Sequence, residues 1–363
     1  RSRAAAADGS RELKPDKDAA RSVDQLDADR LQKLLEAFDR VQVLVVGDVV
    51  LDEYLWGRAE RISPEAPVPV VQVDAESTVL GGAGNVARNV IALGGRCALV
   101  SVVGDDADAA AVRGALANLG IAGDGIVCEA GRPTTRKTRV VAGGQQVVRF
   151  DRETRAPVAK ASVAAMLDAT RAWGQRLDAA ILVDYAKGVL CDGLVAPLLA
   201  SLGERGVPVA VDPKEDVARY RGASLLKPNW AEACRMASRG AVPVESGSEM
   251  PEAALFEALA RNFGESRLVV TRGRAGMTIL EPGEAAVVVP TAVREVFDVQ
   301  GAGDTAMATL VLAASAGASL LEAAVLANAA AGVVIGKMGT ATATRGEVGI
   351  ELPRAIASAR GEK

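Results

Sequence analysis

The sequence predicts an α/β fold in which a mostly parallel β-sheet is sandwiched by helices in a Rossmann-like arrangement. Apolar, strand-like runs alternate with helical runs along most of the 363 residues. The strand-like runs are short and continuously apolar, which is typical of strands buried on both faces. The connections between them are short, as in sheets built from strand–helix–strand units. Hydrophobic residues make up 49% of the chain, which is enough for a large core.

The predicted elements follow one another in a regular order. Leu31, Leu34 and Phe38 recur at helical spacing, so a helix leads into the first strand. The predicted strands are residues 41–46, 98–103, 179–184, 207–212 and 267–271. The predicted helices are residues 107–119, 163–176, 194–205 and 251–263. The uncharged run 305–321 is shorter than the ~20 residues that a membrane span needs, and it predicts a buried helix.

Two segments break this alternation. Residues 67–73 alternate at period two, and residues 134–151 predict a β-hairpin with Gly143 and Gly144 at its turn. No helical run accompanies these strands. We therefore expect residues 57–76 and 134–151 to form a small β-sheet lid inserted into the α/β domain.

One domain accounts for most of the chain. We place it over residues 28–350, followed by a C-terminal end over residues 351–363. Residues 1–27 have mixed charges and no apolar periodicity, which predicts a disordered tail. The tail lacks the apolar stretch of a secretory signal, and the four cysteines are isolated, as is typical of free thiols in a reducing compartment. We therefore expect a cytoplasmic protein that does not bind membranes.

The composition excludes several classes of function. The chain contains no histidine, which rules out Ser-His-Asp and Cys-His catalysis and histidine-ligated zinc. A general base must then be a carboxylate, Lys, Tyr or Cys. The formal net charge of −4 argues against sequence-independent nucleic-acid binding, which requires a basic face.

The most informative motif is Asp-Val-Gln-Gly-Ala-Gly-Asp-Thr at residues 298–305, which precedes a long helical run. Gly301 and Gly303 allow a tight turn whose amides, with Ala302 between them, form an anion hole at the helix N-terminus. Asp304 then faces the anion and is a candidate to accept a proton from a hydroxyl group. Alternatively, Asp304 only caps its own helix. Local spacing favours the two interpretations equally.

A second glycine-rich motif, Gly-Gly-Ala-Gly-Asn-Val-Ala, occupies residues 81–87. It matches the spacing of a dinucleotide-binding fingerprint, and Asp105 follows at a tolerable distance. However, that fingerprint belongs directly after the first strand of the fold, and we predict no strand before Gly81. The motif could instead let a sugar approach the backbone, with Asn85 as its hydrogen-bonding partner, or it could be a plain turn. A P-loop motif is absent from the sequence.

Together these segments resemble the ribokinase-like (PfkB) family of sugar kinases. Residues 81–104 follow the first signature of that family, and residues 298–308 follow its second. Asn-Trp-Ala-Glu at residues 229–232 resembles the magnesium and phosphate motif N-x-x-E of the family. The resemblance covers roughly residues 40–345. One position departs from it, because Thr309 stands where the family prefers Ala or Gly, and we expect this to affect helix packing.

Within the family, the sequence is most similar to the kinases of D-glycero-β-D-manno-heptose 7-phosphate. The similar runs are residues 47–52, 61–70, 184–188, 212–214 and 328–334. The resemblance implies ATP-dependent phosphorylation of the C1 hydroxyl to the 1,7-bisphosphate, for ADP-heptose and lipopolysaccharide core synthesis. In many proteins of this subgroup, a nucleotidyltransferase domain with a histidine-containing signature follows the kinase domain. This chain contains no histidine and ends soon after the kinase region, so we expect a stand-alone kinase. Gln300 occupies a position where Thr is usual in this subgroup.

The resemblance also implies roles for individual residues. Asp304 would be the base, with Gly301, Ala302 and Gly303 around the transferred phosphate. Sugar hydroxyls would be bound by Asp52 and Asn85, with Asp48 as a weaker candidate and Gly81 and Gly82 at the adjoining turn. The nucleotide, ATP, would contact Thr271, Gly273, Gly276 and Asn328. Asn229 and Glu232 would organise Mg²⁺ through water.

Five cations occur in segments expected at strand ends or in the lid: Arg61, Lys137, Arg139, Lys187 and Lys214. Any one of them alone is better explained as a surface cation. Their concentration near the motifs favours a phosphorylated sugar. The resemblance leaves Lys137, Arg139, Lys187 and Lys214 as unranked candidates for its phosphate.

Three other functions remain open from the sequence. They are another sugar or nucleoside kinase of the same fold, an NAD-dependent oxidoreductase, and a non-catalytic sugar-phosphate sensor. We also expect a homodimer formed through the lid, because open sheet edges favour pairing with a second copy.

Overall fold

Strands and helices alternate in the residues that the computed structural model describes, which are 20–173, 177–214, 217–238, 251–291, 299–337 and 339–362. The strands are β1 (Gln42–Gly47), β2 (Val49–Ile62), β3 (Pro69–Gly82), β4 (Arg96–Val103), β5 (Ile126–Cys128), β6 (Arg136–Ala142), β7 (Gln145–Arg152), β8 (Ala179–Val183), β9 (Val209–Asp212), β10 (Leu225–Leu226), β11 (Arg267–Thr271), β12 (Met277–Leu280) and β13 (Val287–Val289). The helices are α1 (Ala28–Glu36), α2 (Ala83–Ala92), α3 (Ala107–Asn118), α4 (Lys160–Ala172), α5 (Asp192–Glu204), α6 (Trp230–Ser238), α7 (Glu252–Phe263), α8 (Ala302–Ser315), α9 (Leu320–Ile335) and α10 (Arg345–Ala359). Residues 174–176 of one predicted helix and Asp298 of the glycine motif lie outside the described residues.

The central sheet has the strand order β13-β12-β11-β10-β9-β8-β1-β4-β5. Neighbouring strands from β11 to β5 are parallel, and β12 and β13 add an antiparallel edge. Val43 and Val45 of β1 pack into a core with α2, α8 and α9, whereas Leu44 and Val46 pack into a second core with α4, α5 and α7. Successive side chains of a strand point to opposite faces, so a continuously apolar strand serves both cores. The predicted mostly parallel, helix-covered sheet is confirmed.

A second sheet, which we call the lid sheet, has the order β3-β2-β6-β7. Its strands include both segments expected to form a lid, but β2 begins at Val49 and β3 continues to Gly82. The expectation that no strand precedes Gly81 is therefore wrong. The end of β3 is hard to detect because Glu76, Ser77 and Thr78 are exposed and polar. Since β3 belongs to the lid sheet rather than the central sheet, the motif still does not occupy a dinucleotide-binding position.

The uncharged run 305–321 is divided between two buried helices. Helix α8 ends at Ser315, and α9 begins after Ser319, whose hydroxyl accepts from the amide of Glu322 in a capping box. Gly317, with φ at 96°, turns the chain between them. Thr309 is buried in α8, where its hydroxyl donates to the carbonyl oxygen of Thr305 at 2.8 Å. None of the described helices has the length and apolarity required to cross a membrane.

Both predicted domain boundaries differ from the structure. Residues 1–19 of the expected tail lie outside the described residues, but residues 20–27 include a 3₁₀ turn, and Ala20 and Leu26 are buried. The amide of Ala20 donates to the Glu322 carboxylate at 3.1 Å, so residues 20–27 are not disordered. At the other end, α10 continues past residue 350 and buries Leu352 and Ile356.

Candidate active site

A cavity of about 230 Å³ lies at the carboxyl ends of β8, β9 and β11, beside the N-termini of α6 and α8. Ligand sites of open α/β sheets form at this edge. The residues of the cavity that the sequence predicted are Lys214, Asn229, Glu232, Thr271, Gly301, Gly303 and Asp304. The sequence analysis assigned no role to four others, Asp184, Tyr185, Asp212 and Lys227.

Asp304 is the buried carboxylate of this site. Its Oδ2 accepts from Asn85 Nδ2 at 2.7 Å, and its Oδ1 accepts from the Tyr185 hydroxyl at 2.9 Å. Burial raises the pKa of Asp304 to about 7, against the lowering effect of the Asn85 bond. The cap residue of α8 is Gly301 and makes no side-chain capping bond, so Asp304 does not serve as the cap. A carboxyl group with this pKa is suited to accept a proton near neutral pH.

The turn before Asp304 depends on glycine at one position. Gly301 has φ at +77°, in the left-handed region, and a Cβ there would lie 2.8 Å from Asn85 Nδ2. At Gly303 the nearest atom to such a Cβ is Lys227 Nζ at 3.7 Å. The first amides of α8, which begins at Ala302, have no intrahelical partners and carry the positive end of the helix dipole. This turn is therefore suited to hold a phosphate beside Asp304.

The second glycine motif leads to the same carboxylate. Gly82 has φ at +57° and begins α2, which places Asn85 in its first turn. Asn85 Oδ1 accepts from Arg88 Nη1 at 3.1 Å, and the same nitrogen donates to the carbonyl oxygen of Thr340 at 2.9 Å. Asn85 is thus held in one orientation, with its amide nitrogen directed at Asp304.

Asp52 lies on the lid-sheet side of this arrangement. Its Oδ1 accepts from Arg139 Nη1 at 2.6 Å, and both side chains are buried. A Cβ at Gly81 would lie 2.1 Å from Asp52 Oδ2, so glycine makes room for the carboxylate. The Arg139 guanidinium lies 5.3 Å from the Tyr54 ring centre, and the Tyr54 hydroxyl donates to Gln300 Oε1 at 2.9 Å. Gln300 therefore links the glycine turn to the lid sheet.

Asp48 is used in a different way from the one predicted. It is 1% exposed and accepts from the backbone amides of Tyr185, Lys187 and Val189 at 2.8–3.1 Å. Burial raises its pKa to about 6. These bonds anchor the turn after β8, so the structure assigns Asp48 to shaping that turn rather than to binding a sugar hydroxyl.

The structure separates the five candidate cations. Lys214 pairs with Glu232 at 2.9 Å in the cavity with Asn229 and Thr271. Lys187 pairs with Glu153 at 2.6 Å. The pKa of Lys137 is lowered, mainly by burial and secondly by the positive charge of Lys187. Arg139 is committed to Asp52, and Arg61 is exposed on the outer part of β2. Lys137 is in register with Asp52 on the neighbouring strand, and its charge interacts with that of Lys187.

Asn229 and Glu232 cap the N-terminus of α6. The Asn229 side chain accepts from the Glu232 amide at 2.9 Å, and the Glu232 carboxylate accepts from the Asn229 amide at 2.8 Å. The other Glu232 oxygen accepts from Lys214. In the described parts of the chain no three metal-ligating side chains cluster together. Glu232 can therefore face a hydrated Mg²⁺, but these residues do not form a protein cage for a metal.

The remaining nucleotide candidates surround the end of β11. Thr271 lines the cavity, and Gly273 and Gly276 turn the chain with φ at +57° and +83°. A Cβ at Gly276 would lie 2.2 Å from the carbonyl oxygen of Val289. Asn328 is buried and donates to that same carbonyl oxygen at 3.0 Å. Asn328 therefore holds the adjoining strand in place and is not a cavity residue.

The residues that sequence reasoning missed stand at strand ends. Asp184 and Tyr185 follow β8, Asp212 ends β9, and Lys227 follows β10. Lys227 is 2% exposed and pairs with Asp212 at 2.9 Å. The sequence could have indicated these residues, because they are polar and stand at the ends of apolar strands. The carboxyl ends of parallel strands meet at one edge of the sheet, where ligands bind.

A buried carboxylate beside a glycine-rich helix N-terminus, with lysines at the carboxyl edge of a parallel sheet, is the arrangement of a phosphotransferase that acts on a hydroxyl group. Comparison with known proteins supports this class of enzyme. Residues 41–345 match the model of the pfkB family of carbohydrate kinases. The chain belongs to this family, and it is a sugar kinase. The NAD-dependent oxidoreductase interpretation is wrong.

Two curated relatives are bifunctional proteins named HldE. The one from Caulobacter sp. (strain K31) is 47% identical over 88% of this chain and 64% of its own length. The one from Citrifermentans bemidjiense is 43% identical over 89% of this chain and 65% of its own length. This chain thus spans about two thirds of the length of these bifunctional relatives.

Solved structures show the same fold. Ribokinase from Arabidopsis thaliana, complexed with ribose and ATP, has a TM-score of 0.66 at 20% identity and covers 86% of this chain and 98% of its own. Phosphofructokinase-2 from Escherichia coli has a TM-score of 0.69 at 20% identity, with coverages of 87% and 99%. The predicted ribokinase-like fold is confirmed.

Proposed function

We propose that this protein uses ATP to phosphorylate the C1 hydroxyl of D-glycero-D-manno-heptose 7-phosphate, giving the 1,7-bisphosphate used for ADP-heptose and lipopolysaccharide core synthesis. The heptose-kinase motifs at residues 47–52, 61–70 and 184–188 and the relatives named HldE support this substrate. The ribose and ATP bound to the Arabidopsis ribokinase support a sugar acceptor and ATP as the donor.

The observation that carries the substrate class is the neighbouring pair of lysines Lys137 and Lys187. Lys137 is in register with Asp52 on the neighbouring strand, so the two side chains share one face of the lid sheet. Lys187 lies two residues after Tyr185, which contacts Asp304. Burial and then the charge of Lys187 lower the pKa of Lys137, and the charges of Asp151 and Glu153 offset only part of this. A sugar phosphate would form charge-assisted hydrogen bonds with these lysines.

Asp304 is the general base of the proposed reaction. It accepts the proton of the C1 hydroxyl as the hydroxyl oxygen attacks the γ-phosphorus and ADP leaves. The bond from Asn85 orients the carboxylate, and a pKa of about 7 matches its role near neutral pH. The amides at Gly301 and Gly303 and the N-terminus of α8 stabilise the charge that develops on the transferred group.

The nucleotide side of the site has a separate set of residues. Thr271 and the turn from Gly273 to Gly276 would contact ATP, and Lys227 lies where it can reach the transferred phosphate near Gly303. Mg²⁺ would supply charge neutralisation on the phosphates. Glu232, supported by Asn229, would hold it through water, because both Glu232 oxygens already accept hydrogen bonds.

The test is ADP release by the purified protein with Mg-ATP and a panel of acceptors. The panel contains D-glycero-D-manno-heptose 7-phosphate, sedoheptulose 7-phosphate, fructose 6-phosphate, ribose, fructose and adenosine. We expect strong turnover with the heptose phosphate and a kcat lower by about 10²–10⁴-fold in Asp304→Asn, with little change in KM. Turnover with an unphosphorylated acceptor instead, or with none, would overturn the substrate assignment.

The lysine pair is tested separately. Lys137→Ala is expected to raise KM for the heptose phosphate by one or two orders of magnitude, because a charge-assisted contact to phosphate is lost. Arg58→Ala is the matched control, since Arg58 is an exposed lid-sheet cation that pairs with Asp74. Equal KM values for the two variants would remove Lys137 from the phosphate site.

We also propose a homodimer formed through the outer face of the lid sheet. Phe150 and Val148 lie on the face of the lid sheet opposite to Lys137 and Arg139. Their side chains are 51% and 49% exposed. Phe150→Asp should convert the dimer to a monomer, as measured by light scattering. Ile350→Asp, at an exposed position of α10, should leave the dimer intact. A wild-type protein that is monomeric at micromolar concentrations would refute this proposal.

A further inference from the structure

Tyr185 holds one side of the Asp304 carboxylate. Its hydroxyl donates to Oδ1 at 2.9 Å, while Asn85 donates to Oδ2 at 2.7 Å. The two donors come from the turn after β8 and from α2, so they fix the plane of the carboxylate from two directions. Burial raises the pKa of Tyr185 well above its usual range, so the phenol remains a donor at every pH at which the enzyme works.

The turn that carries Tyr185 is held by buried carboxylates. Asp48 accepts from the amides of Tyr185, Lys187 and Val189, and Asp184 accepts from the amide of Ala186 at 2.8 Å. Ala186 has φ at +54°, in the left-handed region that residues with a side chain rarely adopt. A conformation of this kind persists only where its surroundings determine it, and such strain is concentrated at functional sites.

Charged side chains at two neighbouring strand ends act on Asp304. Asp212 disfavours its ionised form, and Lys227 favours it, but these two are paired with each other at 2.9 Å. Burial is the largest influence and favours the neutral acid. The hydrogen bonds from Asn85 and Tyr185 therefore provide the main local support for the ionised carboxylate, which is the form that can accept a proton.

We propose that Tyr185 is a positioning residue for the phosphoryl transfer, which orients Asp304 toward the acceptor hydroxyl and stabilises its ionised form. This inference rests on the proposed role of Asp304 as the base. On this proposal, the turn after β8 serves to place Tyr185 against Asp304. Asp48 holds that turn and so affects the reaction through Tyr185, without contacting the sugar.

The test compares two tyrosines that each donate a hydrogen bond to a carboxylate. Tyr185→Phe removes the donor to Asp304, and Tyr220→Phe removes a donor to Asp184 at 2.7 Å without touching Asp304. The measurement is kcat/KM from pH 5.5 to 9, with the acceptor from the panel that supports turnover. Activity falls as the pH decreases and Asp304 becomes protonated. In Tyr185→Phe the midpoint of this fall should move up by about one pH unit, with roughly tenfold lower activity at pH 6.5 and near recovery at pH 9.

Tyr220→Phe should keep the wild-type midpoint. An unshifted midpoint in Tyr185→Phe, or an equal shift in both variants, would overturn the proposal. A nearly isosteric change, Tyr185→3-fluorotyrosine, provides a second test if Tyr185→Phe does not fold, because its stronger donor should move the midpoint down. If Asp304→Asn retains activity, the proposed function itself fails; if only the tyrosine variants behave otherwise than expected, the inference alone fails.

Discussion

Gly301→Ala tests whether the glycine turn supports Asp304 through Asn85. The new Cβ would lie 2.8 Å from Asn85 Nδ2, which must move, and this nitrogen donates to Asp304 at 2.7 Å. The backbone penalty for φ at +77° is about 1–2 kcal/mol. A hydrogen bond to a charged group contributes about 1.5–3 kcal/mol. If that bond is lost from the reacting state, kcat should fall by about 10–100-fold.

Gly120→Ala is the matched control, because Gly120 has φ at +71° and no atom within 4 Å of its Cβ position. It carries the backbone penalty without the clash. The assays are thermal unfolding and steady-state ADP release at saturating substrates. Both variants should lose stability, and only Gly301→Ala should lose kcat. A kcat for Gly301→Ala within about threefold of that for Gly120→Ala would refute the reasoning.

Three further predictions follow from single contacts. Gly81→Ala should raise the sugar KM about tenfold and leave the ATP KM unchanged in steady-state kinetics, because its Cβ would lie 2.1 Å from Asp52 Oδ2. Glu322→Ala should lower the free energy of unfolding by about 1–3 kcal/mol in urea titrations, because it removes the acceptor for the amides of Ala20 and Ser319 and for partly exposed Arg30. Iodoacetamide should modify exposed Cys128 well before partly buried Cys97, because desolvation raises the pKa of the Cys97 thiol. Peptide mass spectrometry measures the order of modification, and early modification of Cys97 would contradict this prediction.

Much of the fold could be predicted because its signals are local. Continuously apolar runs such as β1 and β8 identify strands buried on both faces, and their alternation with helices predicts a parallel sheet. The lid strand β3 was only partly predicted. It lies in the exposed lid sheet, where the alternation of apolar and polar residues ends before Gly81.

The residues of the candidate site that could be predicted are likewise those that form local patterns in the sequence. Gly301, Gly303 and Asp304 are close in sequence, so their spacing alone indicated a turn, a helix start and a carboxylate beside an anion hole. Asn229 and Glu232 were identified by their resemblance to the N-x-x-E motif of the family, and their contacts form a reciprocal helix cap. Which lysines lie close to each other could not be predicted, because every lysine carries the same charge in the sequence.

The apolar strands, the glycine turn and the carboxylate of Asp304 could be identified from the sequence, because each is a pattern of residues close together in the chain. The surroundings of that carboxylate depend on contacts between distant parts of the chain. Asn85 and Tyr185 are 219 and 119 residues from Asp304 in sequence, yet both donate to its carboxylate. Strand order and register bring these residues together, and burial then shifts the pKa of Asp304 to about 7. A pKa shift depends on desolvation and neighbouring charges in space, which no local pattern in the sequence encodes.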